Sequence, residues 1–315
     1  MQTIVFLDRG TITVPMRRPN FAHEWIDHDR TAPDETVERL LSATITLTNK
    51  VPLREPELSA PPKLKCIALT ATGYDNVDIA FCRKRGIAVA NVPGYAKNSV
   101  PEHVLMLLLA LRRNLPAYRD AVRAGRWQQS SQPILNELPV EDLRGSTLGL
   151  IGYGDLAKGV EKLARAFGME ILVAERQGAA AARAGRTLFE DVLRRSDVIS
   201  LHVPLTEETR GLIGAKELAM MKRTALLLNT ARGGLIDEAA LAEALKSGRL
   251  GGAGMDMLSQ EPPRDGNPLI DLRLPNLIVT PHIAWASRQA QELLAEEVIQ
   301  NIEAFVAGKP RNLVS

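Results

Sequence analysis

Apolar residues in this chain gather in short continuous runs rather than in alternation. In the first hundred residues the runs fall at 4–7, 45–47, 66–69 and 87–92. Runs of Ile, Val and Leu without alternation are the pattern of strands covered on both faces, as in a parallel sheet. Segments with helical spacing lie between them, one around 37–41 and one over 76–85, the latter closed by Gly86 in the position of a helix C-cap. The polar, proline-containing stretch after the first run holds His23 and His28 and reads as surface. From 147 the alternation restarts, with strands predicted at 148–151, 170–174, 197–201, 225–229, 251–255 and 277–279 and helices at 156–167, 188–195, 215–221 and 237–247. Strands and helices alternating twice over predict an α/β chain of two Rossmann-like parallel-sheet domains, the second six-stranded and doubly wound.

The junction between these halves has its own pattern. Ser99 and Glu102 stand at the S-x-x-E spacing of a capping box, with Pro101 in the first turn. The helix that follows, VLMLLLALRRN, is apolar on all sides for two turns, which predicts burial all round, either between domains or between subunits. Residues 116–140, with a second helical segment and Trp127, read as an arm that packs on a partner chain. A last helix over 288–307, ended by Gly308 and Pro310, is placed to cross back to the first domain.

Composition narrows the function classes. A length of 315 residues suits two domains better than one core. Lys+Arg 39 against Asp+Glu 37 leaves no basic field to attract nucleic acid. The longest apolar run, 104–111, stops at Arg112 and is too short for a bilayer, and the N-terminus reaches Asp8 and Arg9 before a signal-like segment forms. Cys66 and Cys82 form neither a disulfide framework nor a zinc spacing, so a reducing cytoplasm is the expected compartment.

The stretch 147–168, TLGLIGYGDLAKGVEKLARAFG, reads as strand, glycine turn and helix start. Gly152 can take a backbone conformation closed to other residues. Gly154 lets the chain approach a pyrophosphate, and Ala157 is small enough for close helix–strand packing. Such junctions also carry glycines for structural reasons alone. Glu175, 21 residues past Gly154 (175 − 154), adds support, since a carboxylate there can accept from ribose hydroxyls and repel a 2′-phosphate. Arg176 follows it and could hold that phosphate instead.

Ligands of open α/β sheets bind outside the carboxyl ends of the strands. In the second half those ends offer Arg232, Asp256, Glu261 shortly after it, and His282. The other histidines have duller readings: His23 and His28 on the surface, His103 in the first turn of the long helix, His202 at a strand end lining a cofactor cleft. An arginine can grip a carboxylate bidentately and polarise a neighbouring carbonyl. A histidine can exchange a hydroxyl proton near neutral pH, and an acid behind it fixes the ring. This set suits hydride transfer on a carboxylate-bearing substrate.

The stretches NVPGYAKNSVPEH, LRGSTLGLIGYGDLA, SLHVPLTEETRGLI, LLNTARGGLIDEAAL, GAGMDMLSQEP and TPHIAWAS together resemble the NAD-dependent D-isomer-specific 2-hydroxyacid dehydrogenases, over about residues 65–305 and most closely the glycerate dehydrogenase or hydroxypyruvate reductase group. The resemblance implies a discontinuous substrate domain of residues 1–98 completed by a C-terminal helix within 287–315, around a dinucleotide-binding domain of 99–286, with the active site in the interdomain cleft and a homodimer held by the arm. It also implies roles. Arg232 binds and polarises the substrate, His282 is the acid/base, and Glu261 is its partner. Asp256 holds the nicotinamide carboxamide, Val203 and Pro204 back the ring, and Asp155, Leu156 and Thr230 join the cofactor set with Gly152, Gly154, Glu175, Arg176 and His282. Thr72 and Gly73 offer backbone amides to the substrate carboxylate. The activity implied is reduction of a small 2-keto acid, hydroxypyruvate or glyoxylate, with NAD or NADP as coenzyme. Ala157 in place of a commoner glycine and Glu175–Arg176 in place of a plain aspartate are departures that weaken the NAD assignment. Two other readings share the frame: oxidation of 3-phosphoglycerate, and an NAD-sensing, corepressor-like binding protein. Formate dehydrogenases of the superfamily carry a glutamine where Glu261 stands, which argues against that activity.

Overall fold

The computed structural model describes residues 1–315, which divide into two compact units, residues 1–96 with 286–315 and residues 97–285. No helix is long and apolar enough to cross a membrane.

The first unit runs β1 (Gln2–Phe6), β2 (His23–Asp27), α1 (Thr36–Leu40), β3 (Ile45–Thr48), α2 (Glu55–Ser59), β4 (Cys66–Leu69), α3 (Ile79–Arg85) and β5 (Ala88–Ala90). Its strands form one parallel sheet in the order β2-β1-β3-β4-β5. The two central strands β3 and β4 are buried at every position, as their unbroken apolar runs require. Strand β2 corrects the reading of 23–27 as plain surface. HEWID pairs in register with β1, Ile4 opposite Trp25, but as an edge strand it makes one ladder and covers one face. An edge needs no apolar run, so its polar composition hid it. Trp25 is shielded instead by the Arg18 guanidinium, 4.3 Å from the ring centre.

The crevice between β1 and β3, where this sheet reverses direction, is filled by the chain itself. Asp8, 4% exposed, follows β1 and accepts from the amides of Asn49 (2.9 Å), Lys50 (2.6 Å) and Val51 (3.3 Å). Burial pushes its carboxyl above the ordinary value, against the pull of these amides.

The second unit opens with α4 (Ser99–Arg112) and α5 (Leu115–Arg123). It continues β6 (Thr147–Ile151), α6 (Asp155–Ala166), β7 (Glu170–Val173), α7 (Phe189–Arg195), β8 (Val198–Leu201), α8 (Ala215–Met220), β9 (Leu226–Asn229), α9 (Glu238–Lys246), β10 (Gly252–Met255) and β11 (Leu277–Val279). These six strands form a parallel sheet in the order β7-β6-β8-β9-β10-β11, so the chain reverses direction between β6 and β8. Strands β8, β9 and β10 are buried throughout. Each Leu of β9 taken out of water contributes about 1.5–3 kcal/mol before entropy is counted.

One expectation for α4 needs correction. Its capping box does not form: the Ser99 hydroxyl donates to the Ala284 carbonyl at 2.6 Å, and Glu102 stays exposed. Asn98 is the N-cap and Ser99 the first helical residue, so the Ser99 hydroxyl does not stand where a cap would accept the first helix amides. Within this chain α4 is covered on one side. Val104, Leu107, Leu108 and Leu111 pack toward β9, β10 and α6, but Met106 is 44% exposed. Exposed apolar side chains continue through the following segment at Leu115, Val122, Trp127, Ile134 and Val140.

The chain re-enters the first unit as α10 (Arg288–Val306), capped by the Ser287 hydroxyl, which accepts from the Ala290 amide. Leu294, Val298 and Ile302 are fully buried along one stripe, and α10 packs on β4.

Candidate active site

The glycine turn sits at the reversal between β6 and β8. Gly152 has φ +91, and a Cβ there would lie 2.4 Å from the His202 carbonyl oxygen at the end of β8, so only glycine fits. A Cβ on Gly154 would meet nothing within 4 Å. Gly154 is also the N-cap of α6 and supplies no side-chain acceptor to the first helix amides. Open space over amides with no side-chain cap is a cradle for a phosphate group. Ala157 is fully buried against the sheet, Leu156 is half-buried, and Asp155 is exposed, 3.4 Å from Lys97. Tyr153, between the glycines, donates its hydroxyl to Glu161, with the Arg186 guanidinium 5.1 Å and the Lys158 ammonium 6.0 Å from its ring centre.

Glu175, just past β7, is buried at 6% exposure and saturated by donors. Arg183 grips both oxygens with a fork, Nε to Oε2 at 2.7 Å and Nη2 to Oε1 at 2.7 Å. The amides of Arg176 and Arg183 add bonds at 2.9 and 3.2 Å. The Arg183 fork foremost, then the Arg176 amide, hold the Glu175 carboxyl down to about 2. Sequence reading gave Glu175 to the ribose and did not single out Arg183. The available signal was the two arginines, Arg183 and Arg186, in the small-residue loop GAAAARAGR that follows the acid.

Three adjacent strands, β9, β10 and β11, present the remaining polar groups at their carboxyl ends. After β9, the Asn229 side chain pins the loop, donating to the Arg232 carbonyl (2.8 Å) and accepting from the Ala231 amide (3.0 Å). Arg232 Nη1 donates to the Ala231 carbonyl at 2.7 Å. The next residue, Gly233, is fixed by close approach: a Cβ would fall 1.9 Å from the Leu258 carbonyl carbon. The hydroxyl of Thr230 is buried with no partner in the protein. An orphaned buried hydroxyl at the carboxyl end of β9 fits a site made for a ligand.

Beyond β10, Glu261 accepts from the Leu258 amide at 2.9 Å through one oxygen and meets His282 Nδ1 at 2.6 Å through the other. A carboxylate can only accept, so Nδ1 carries the proton in this pair. His282 has φ +56, a conformation costly for a non-glycine residue and held by its surroundings. Its amide donates to the Asp256 carbonyl (2.9 Å), and its own carbonyl accepts from Trp285 Nε1 (3.0 Å). A cavity of about 530 Å³ adjoins the pair, walled mainly by Leu258, Leu269, Leu274, Leu277 and Val279.

Asp256, expected to hold the nicotinamide carboxamide, directly follows β10. It is 1% exposed, and its carboxylate accepts from the Thr280 hydroxyl (2.5 Å) and the amides of Ile283 (2.9 Å) and Ala284 (2.8 Å). Its oxygens are committed to the turn that carries His282. His103 Nε2 lies 3.0 Å from the Thr280 hydroxyl, and burial pushes its imidazole below the ordinary value. Thr280 and His103 were missed as parts of this network, because nothing in sequence spacing brings residues 103, 256 and 280 together.

Val203, half-buried, and Pro204, exposed, follow β8. Next to them, burial pushes the His202 imidazole down to about 4, and its Nε2 pairs with the Ser200 hydroxyl at 2.9 Å. Thr72 and Gly73 belong to the first unit, after β4, where the Thr72 hydroxyl donates to the Val92 carbonyl at 2.7 Å.

Comparison with known proteins gives the arrangement a context. Residues 105–284 match the family model described as D-isomer specific 2-hydroxyacid dehydrogenase, NAD binding domain. A glycerate dehydrogenase of Methylorubrum extorquens is 51% identical, over 99% of this chain and 98% of its own. Among solved structures, D-lactate dehydrogenase from Aquifex aeolicus, complexed with NAD and lactic acid, aligns with a TM-score of 0.82 at 29% identity, covering 99% of this chain and 98% of that one. An NADPH-dependent glyoxylate/hydroxypyruvate reductase from Sinorhizobium meliloti aligns with a TM-score of 0.80 at 27% identity, covering 100% of this chain and 98% of that one.

Proposed function

The chain belongs to the D-isomer-specific 2-hydroxyacid dehydrogenases, and on that premise we propose that it reduces hydroxypyruvate or glyoxylate to the D-2-hydroxy acid with NADH or NADPH, and runs the reverse oxidation. The observation that carries this reading is the 2.6 Å contact of His282 Nδ1 with Glu261, which joins the loops after β11 and β10 on the sheet whose β9 leads to Arg232.

The cofactor, when bound, supplies the hydride. The cradle of Gly152, Gly154 and the first amides of α6 holds its pyrophosphate, and the Thr230 hydroxyl offers a further polar contact. Arg232 grips the substrate carboxylate and draws electron density from the adjacent ketone. His282 Nε2 delivers a proton to the ketone oxygen as it becomes an alkoxide, and in oxidation takes the hydroxyl proton back. Glu261 keeps the ring oriented and balances the imidazolium charge. Asp256 acts one layer further out, by holding the turn on which His282 rides.

The decisive experiment follows NADH and NADPH oxidation with hydroxypyruvate, glyoxylate and other 2-keto acids, including the oxidised form of 3-phosphoglycerate. Turnover with hydroxypyruvate or glyoxylate is expected, and absence of turnover with every keto acid under both coenzymes would remove the reading in favour of a binding protein.

We also propose a homodimer joined through α4 and residues 115–140, supported by the exposed apolar side chains of Met106, Leu115, Trp127 and Ile134. A cytoplasmic location is proposed on the two buried free thiols, Cys66 and Cys82. Fractionation with markers of each compartment tests it, and recovery in an oxidising compartment would contradict it.

A further inference from the structure

The cofactor reading leaves one question at the end of β7, and the side chains there answer it. A carboxylate has about four lone-pair positions for donors. Glu175 receives four donors from its own chain: two from the Arg183 fork and one each from the Arg176 and Arg183 amides. An incoming ribose hydroxyl finds no acceptor on it unless the fork opens. The acid's charge is also balanced locally. Arg183, with its side chain 66% exposed, cancels it at 2.7 Å, and the exposed Arg176 and the half-buried Arg186 add further positive charge on either side of the loop. Arg186 is tied here by its bond to the Ala174 carbonyl at 3.1 Å and by its position over Tyr153 of the glycine turn. A group arriving between the turn and the end of β7 therefore meets a masked acid among arginines.

We propose that Arg183 is the coenzyme-discriminating residue of this protein: by occupying Glu175 it converts a site built to repel a 2′-phosphate into one that accepts it, and it offers its own guanidinium to that phosphate. The proposal rests on the cofactor cradle described above and not on the identity of the keto acid. It places the discrimination in a pair eight residues apart, inside one loop, rather than in the acid alone.

The test is calorimetric titration of the protein with 5′-AMP and with adenosine 2′,5′-bisphosphate, which differ only in the 2′-phosphate. The wild type is expected to bind the bisphosphate roughly tenfold or more tightly than AMP, the scale of one charge-assisted contact. Arg183→Ala should bring that ratio to about one or below, because it removes a cation and uncovers an anion together. Arg183→Gln, a surface change that removes the charge but keeps a polar side chain, should behave likewise. In a Glu175→Gln background the same Arg183→Ala change should cost less, since there is no carboxylate to uncover. A wild-type preference for AMP, a ratio unmoved by either Arg183 variant, or an equal fall in both backgrounds would overturn the proposal. These titrations contain no keto acid, so they stand or fall separately from the proposed reaction. Where that reaction is measured, the NADPH to NADH ratio of kcat/KM should follow the same order.

Discussion

Asp256 holds His282 without touching its ring. The His282 amide donates to the Asp256 carbonyl at 2.9 Å, and the Asp256 carboxylate receives the two amides that follow, Ile283 and Ala284. The left-handed backbone of His282 is sustained by these bonds. Asp256→Ala is therefore expected to lower kcat for keto-acid reduction about 100-fold through a misplaced imidazole, with coenzyme affinity changed far less. Steady-state kinetics with coenzyme titration by fluorescence would check this, and an unchanged kcat would refute the positioning role.

In the proposed reaction Arg232 and Glu261 have different tasks and should separate kinetically. Arg232→Ala should reduce kcat/KM about 1000-fold, because it removes both the carboxylate grip and the polarisation of the carbonyl. Glu261→Gln keeps the shape of the side chain but loses its charge, and should reduce kcat about 100-fold with a small effect on KM. Wild-type kcat/KM in Arg232→Ala would make the proposed substrate orientation untenable.

The two sheets and most of their helices were legible because parallel strands covered on both faces leave uninterrupted apolar runs, as LLLN does for β9. β2 was hidden for the complementary reason, since HEWID lies at an edge and needs no such run. The strand-end positions of Arg232, Glu261 and His282 could be read from where the runs stop. Their geometry could not: the 2.6 Å contact of His282 with Glu261 spans 21 positions and depends on the loop after β10 folding back. Pairings between loop residues leave no periodic trace, so the Glu175–Arg183 fork and the Thr280 contact with Asp256 were also invisible. Ser99 shows the same effect at a helix start, where the helix begins one residue earlier than the local motif places it.

His202 sets an expectation for stability against acid. Burial holds its imidazole at about 4, below the 6.5 expected in the unfolded chain, so the unfolded state binds the extra proton in between. The native state is then favoured fully above about pH 6.5 and loses that advantage as pH falls toward 4, by about 2–3 kcal/mol. His202→Gln should flatten the pH dependence of urea midpoints across that window. An identical slope in the variant would show that other groups govern it.

Asp8 sets another expectation, in the first unit. Asp8→Ala would leave the amides of residues 49–51 without their acceptor and should destabilise folding by about 3 kcal/mol, while Asp8→Asn keeps one oxygen and should cost less. Denaturant titration of both variants would show the order, and equal stability of the two would contradict it.

The exposed apolar side chains of α4 and the segment after it predict the oligomeric state. Light scattering should give twice the chain mass of 34.4 kDa for the wild type. Ile134→Asp together with Leu115→Asp should yield monomers, since each charge would have to be buried on assembly. A wild-type monomer would rule the dimer out.

Gly233 carries a consequence for how this scaffold can be altered. With its backbone pressed against the 258–259 peptide, the loop bearing Arg232 and the loop leading to Glu261 are mechanically one piece. Insertions or deletions in either would displace both working groups at once. New substrate preferences in this chain are therefore reached by exchanging side chains around a fixed pair of loops, and recombination that swaps one loop without the other should yield folded but inert proteins.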